Sequence, residues 1–357
     1  MKVKGAELDL GQPDDKYRSR QAYANELRAH LPKEVFQAVP RRLLWLIFYY
    51  AIISLGVVAI FRWENPVVRF LAAVMIGHCQ GVLGFLGHEI LHGTVVRRRL
   101  PMLWLGGLCM WHWGIHPKHW IAWHNRQHHQ LTNHSFDDPD CFGHERLYHH
   151  STWLRVLEKF LPGSGTARSA LFLFFWFSFH TVWVAFKHPG VFQGHAEART
   201  VRAFIFGTQI GWITLAGWAL GWQGFFFLYL IPLAFANLIM MSYVATNHFI
   251  SPLTEDTNDP LLNSLTVRST PLLERLHLYN NFHVEHHVLP YVNPVHGAEV
   301  ARKLKELWPQ KYQEMSHWAA LRRVYRSPKF YLRNTVLVNP RTRFTAETLL
   351  AHYLEMD

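Results

Sequence analysis

Cysteine is scarce in this 357-residue chain: Cys79, Cys109 and Cys141 stand far apart and form no CxxC pair. That excludes a disulfide framework and a cysteine-based zinc or iron–sulfur site. Acidic residues are also in the minority, 25 against 36 Lys and Arg, leaving a formal net charge of +11. The excess fits a face that meets anionic headgroups or an acidic partner. Nucleic acid is not implied, because the basic residues are scattered beside apolar runs and no nucleic-acid motif is present. The first twenty residues are charged and lack an apolar core, which predicts no cleaved leader. Charge is missing altogether from residues 203–243. At 1.5 Å per residue that is roughly 60 Å of helix, enough for two membrane spans turning near Gly221 and Gly224.

Apolar residues make up half of the chain, and histidine is abundant at 25 copies. Residues 1–40 read as a cytoplasmic arm in which residues 17–30 form a helix on the membrane surface or in solvent. Arg41 and Arg42 precede an apolar run at 43–61, and a second run at 67–87 returns to the same side. Arg97, Arg98 and Arg99 follow, so this side is cytoplasmic by the positive-inside rule. Residues 100–115 are apolar but short and dip into the interface. Residues 169–186 are long enough to cross, yet a crossing there would put the later histidines on the wrong side. They are therefore expected to lie in the interface or to be re-entrant. The fold expected is an all-α integral membrane protein with four spans at about 43–61, 67–87, 203–221 and 225–246. These form two hairpins under a cytoplasmic histidine-rich cap, with a cytoplasmic tail at 311–357 after the membrane domain of 41–310.

Eight histidines fall into three tight groups: His88 and His92 in HEILH, His124, His128 and His129 in HNRQHH, and His283, His286 and His287 in HVEHH. On a helix, positions three or four apart share a face, so their imidazoles can converge on one ion. Imidazole suits zinc, copper, iron and nickel alike. Eight ligands exceed what one ion accepts, so two metals are implied. HEILH also satisfies HExxH, in which Glu89 would be the general base of a zinc peptidase. That reading leaves the other two groups unexplained. A metal carrier would more naturally place its ligands in mid-membrane. His78, within a span, is expected to face the bundle or a cavity, and His112, His116 and His119 lie among tryptophans, a cluster that anchors the interface or lines a substrate entrance.

HEILHG, HNRQHH with DPD after it, and NNFHVEHHVLP resemble, in that order, the three histidine boxes of the membrane-bound fatty acid desaturases, over roughly residues 43–310. The resemblance implies four membrane helices and a cytosolic di-iron centre that uses O₂ and two electrons per double bond. The eight box histidines would be iron ligands, and His248, at the end of the fourth span, a ninth. Where relatives have a water-linked asparagine four residues before that histidine, this chain has Val244, with Asn247 adjacent to His248 instead. Glu89, Asp137, Asp138, Asp140, Asn247, Asn281 and Glu285 are candidates to support the ligands. The substrate implied is an acyl lipid, acyl-CoA or acyl-carrier protein in a bacterial inner membrane or the ER membrane. No fused redox domain is visible, so a separate ferredoxin or b-type cytochrome would supply electrons. A hydroxylase, ketolase or acetylenase acting on lipids, alkanes or carotenoids would share this architecture.

Overall fold

The computed structural model describes residues 16–355, which are mostly helical with five short strands. Helix α1 (Arg20–His30) begins at Ser19, whose side chain accepts from Ala22 N. One face of it is covered by the chain itself. Tyr23, Ala24 and Leu27 are buried in one cluster with Val284, Val288 and Leu289. An amphipathic stripe says that one face is covered, not by what.

Four helical runs are long and apolar enough to cross a membrane: Pro40–Arg62, Pro66–Leu91, Ala167–Lys187 and His195–His248. Helix α2 (Leu43–Arg62) exposes Leu44, Ile47, Leu55 and Val58, the outward apolar face that a lipid-facing helix presents. Asn65 caps Val67 N and Val68 N, and Pro66 at the first position starts α3 (Pro66–Leu91). Helix α4 (Arg99–Met110) packs along the far half of α3, where Gly106 sits on Leu91 and Gly87 on Cys109. Next, α5 (Pro117–Trp120) continues into the π-wound segment Ile121–His128.

Helix α6 (Phe172–Lys187) packs against the later span. Phe172 meets Phe249, and His180 meets Asp140 at 2.9 Å, whereas Phe174 meets Phe235, and Ser178 N bonds Asn237 Oδ1 at 2.8 Å. One face of α6 thus looks to the histidine-bearing layer and the other away from it. The long run, α7 (His195–Gly224) and α8 (Ile231–His248), folds back on itself near the end of α7, where Leu220 and Gly221 leave helical geometry. Gly221 there has φ 59°, a left-handed conformation that costs glycine little. Arg69 joins this turn to the α2–α3 turn: its Nε donates to Ile60 O and Trp63 O, and its guanidinium reaches Gln223.

Helices α3 and α8 touch through glycine. A Cβ at Gly77 would lie 2.4 Å from Pro232 O, and one at Gly81 would lie 2.7 Å from Ile239 Cβ. Small residues four apart let two membrane helices approach this closely.

The remaining chain builds a layer over the ends of α3 and α8. It holds α9 (His283–Val288), α10 (Gly297–Leu307) and α11 (His317–Arg326). Strand β1 (Thr266–Arg268) pairs in parallel with β2 (Glu314–Ser316), and β3 (Phe330–Arg333), β4 (Val336–Val338) and β5 (Thr345–Glu347) form an antiparallel sheet. Residues 311–355, expected as a tail, are folded in. Tyr331 OH donates to Ser251 O at 2.7 Å, and Leu349 N bonds Ile250 O at 2.8 Å.

Candidate metal centre

His88 and His92 occupy the end of α3, four apart, with ring centroids 4.8 Å from one another. His248 closes α8. His283, His286 and His287 stand on the short helix α9, entered through Leu278 and Tyr279 at φ 59° and 62°. That left-handed turn is held by Arg42, which donates to Leu278 O at 2.9 Å, and by Tyr49, whose hydroxyl donates to Leu276 O. The second box uses the π-winding. His129 N bonds His124 O, five residues back, which brings the two rings to 4.7 Å and turns His128 elsewhere.

The ligand nitrogens collect into two histidine groups, and His124, His128 and Asp140 form a smaller third set that links them. His88, His92, His124, His129 and His286 have their ligand atoms within 4.8 Å of one another. Four of them close a ring of Nε2 contacts: His88 to His286 at 2.9 Å, His286 to His129 at 3.0 Å, His129 to His124 at 3.1 Å and His124 to His88 at 3.0 Å. The fifth, His92 Nε2, is buried with no partner. His128, His248 and His287 form the second group, and His283 Nε2 lies 2.7 Å from His248 Nε2 and 3.0 Å from His287 Nε2.

These residues fit metal ions. An Nε2 carries either a proton or a lone pair, so hydrogen bonding satisfies a closed ring of Nε2 atoms poorly. Two nitrogens each about 2.1 Å from one ion and at right angles to one another are about 3 Å apart, the spacing seen around the ring. Burial pushes His92, His124, His129, His283, His286 and His287 well below the ordinary imidazole range, which keeps them neutral and their lone pairs available.

His128 differs. Burial lowers it too, but Asp138 and Asp140 outweigh that and push it up to about 9. Its Nδ1 lies 3.0 Å from Asp138 Oδ1 and 3.4 Å from Asp140 Oδ2, so the proton is held on Nδ1 and Nε2 faces the group. Asp138 is fixed in turn by Asn133 N and Asp140 N, and Asp140 by Trp123 Nε1 and His180 Nε2.

The other expected supports are placed differently. Asp137 pairs with His134 near the surface. Glu89 is buried and bonds Arg42 and Asn293, not an imidazole. Glu285 accepts from Thr266 Oγ1 at 2.6 Å and from the Tyr312 hydroxyl. Burial pushes its carboxyl up to about 7 against those two bonds. Asn247 and Asn281 are buried, and their amide groups have no partner.

Several residues escaped the sequence reading. Asn263 O accepts from His248 Nδ1 at 3.0 Å, Thr132 Oγ1 lies 3.3 Å from His287 Nδ1, and Thr266 Oγ1 accepts from His283 N and Val284 N. None of them carried a sequence signal that pointed to the histidines.

A cavity of about 40 Å³ opens between the two groups and α6 and α8. His88, His124, His128, His248 and His283 form one side, Trp120, Trp123, Trp176, Phe177, Met240, Met241, Val244 and Phe249 the apolar wall, and Asp140, His180, Asn247 and Asn280 the remaining polar lining. A comparison with curated proteins gives no match. The protein-family model Fatty acid desaturase matches residues 64–319, a stretch that contains all nine of these histidines.

Proposed function

The chain belongs to the fatty acid desaturase family, and from that premise we propose that it is an O₂-dependent desaturase that introduces a C=C bond into an acyl chain. The observation that carries this reading is the five-and-four division of imidazole nitrogens beside an apolar cavity. His88, His92, His124, His129 and His286 would hold one iron, and His128, His248, His283 and His287 the other. Bound there, the pair of irons supplies the activation of O₂ needed to remove hydrogen from an unactivated methylene. In balance, the acyl segment loses two hydrogens, and O₂ with two electrons and two protons leaves as two waters.

The chain's own residues position and exclude. Trp120, Phe177, Met240 and Met241 present an apolar wall to an alkyl segment and keep bulk water away from it. Asp138, Asp140 and the Asn263 carbonyl keep the Nδ1 protons of His128 and His248 in place. Glu89 is clamped by Arg42 and Asn293, which leaves it unable to serve as the base of a peptidase.

In the membrane, α2–α3 and α7–α8 act as two hairpins whose turns meet at Arg69 and Gln223, far from the histidines. Helix α6, packed against α8 with its Phe172–His180 face toward the cap, lies in the interface, and the histidine layer is cytoplasmic. The substrate is an acyl lipid, acyl-CoA or acyl-carrier protein, and a separate ferredoxin or b-type cytochrome supplies the electrons.

The test is lipid profiling of a heterologous host that carries the wild type or His286→Ala. New, O₂-dependent double bonds are expected with the wild type and none with the variant, which still inserts. New hydroxyl, keto or acetylenic groups without double bonds would replace this reading by that of a hydroxylase, ketolase or acetylenase.

A further inference from the structure

The cavity beside the histidines is apolar in its walls yet contains polar atoms with nothing to bond. Three lining residues from three different elements are more than nine-tenths buried: Asn247 at 1% exposure, Trp120 at 3% and His180 at 6%. Asn247 Nδ2 and Oδ1, Trp120 Nε1 and His180 Nδ1 all lack a partner. Buried polar atoms are nearly always paired, so a set of them around one cavity marks where a ligand's polar group belongs.

Their chemistry narrows that group. Trp120 Nε1 can only donate, and the Asn247 amide offers both a donor and an acceptor. His180 Nε2 faces Asp140 Oδ1 at 2.9 Å, so in the neutral ring Nε2 carries the proton and Nδ1 is left as an acceptor. The cavity therefore needs a group that both accepts and donates. A plain methylene chain satisfies none of these atoms. A keto or ester oxygen satisfies the donors and leaves Asn247 Oδ1 and His180 Nδ1 both unmet, whereas a hydroxyl accepts from the donors and gives its one proton to either of these acceptors.

We propose that the substrate is a hydroxylated lipid chain, whose hydroxyl sits among Asn247, Trp120 and His180 close to the methylenes that react. This rests on the desaturase reading and names its substrate class. Asn247 is a specificity-determining residue in it, adjacent in sequence to His248 but bonded to none of the histidines.

The experiment uses the iron-loaded full chain in lipid nanodiscs. Binding of octadecanoic acid, of its positional hydroxy derivatives and of the matching keto acids is measured by tryptophan fluorescence and calorimetry. One hydroxy acid should bind at least about tenfold more tightly than the plain and keto acids, since a site built for a hydroxyl rejects analogues that lack it. Asn247→Leu should erase that preference while the plain acid still binds. The proposal is overturned if the plain or keto acid equals the best hydroxy acid in the wild type, as it would if ordered water satisfied these atoms, or if the preference survives in Asn247→Leu. The wild-type ranking decides the matter even where the variant does not fold. If the wild type binds none of these acids and changes no host lipid, the desaturase reading itself fails. Retained desaturation of plain chains with equal binding removes only the hydroxyl.

Discussion

Six histidines held neutral by burial impose a definite pH dependence on the metal-free protein. In the unfolded chain each takes up a proton below its ordinary value of 6.5, whereas His92, His124, His129, His283, His286 and His287 in the fold do not. The unfolded state then binds more protons, so stability falls as pH drops through about 6.5. Each such group contributes up to about 1.4 kcal/mol per pH unit. Chelator-treated protein should show a melting temperature that drops steeply from about pH 7 to about pH 5, and a flat profile would contradict the burial of these rings. A second residue-scale expectation concerns Arg42, whose side chain is 5% exposed beside a Glu89 carboxylate 3% exposed. Arg42→Met strands that carboxylate and should cost about 3–5 kcal/mol in thermal or denaturant unfolding, with most of it recovered in Arg42→Met/Glu89→Leu. The histidines were legible in the sequence because ligand spacing on a helix is regular. Their surroundings were not: HEILH places Glu89 beside two candidate ligands without saying that it points at Arg42, and DDPD offers three carboxylates of which the loop turns Asp137 outward.

Between elements, the seam of α3 and α8 sets how far His88 and His92 stand from His248. At Gly77 the obstacle to any side chain is the backbone oxygen of Pro232, which cannot swing aside. Gly77→Val should push the two helices apart, lower stability by about 1–3 kcal/mol or more, and reduce iron per chain as read by elemental analysis. Gly211→Val, where nothing lies within 4 Å, is the control and should change neither quantity. Long apolar runs made the membrane helices readable, and their turn at Gly221 was marked by local glycine. The split of HNRQHH between two groups was not, because i,i+4 reasoning assumes an α-helix and this segment is π-wound, so that His129 joins His124 while His128 departs. The strands were equally hidden. At three or four residues each, they show no alternation long enough to read.

For the whole molecule, the decisive question is on which side of the membrane the connection after α6 lies. Gly190 follows α6 and is exposed, while Trp63 lies in the α2–α3 turn. In intact spheroplasts or sealed vesicles, Gly190→Cys should react with an impermeant maleimide from the cytoplasmic side and Trp63→Cys from the other. Labelling of both from one side would break the two-hairpin arrangement. Helix α1 has a further consequence, in the time domain of synthesis. Its buried face, Tyr23, Ala24 and Leu27, rests on Val284, Val288 and Leu289, so the part of the chain made first waits for a partner made roughly 260 residues later. At ribosomal rates that delay is on the order of 10–50 s. Throughout it the third histidine box is either unmade or not yet covered by α1, so the earliest segment closes over the latest.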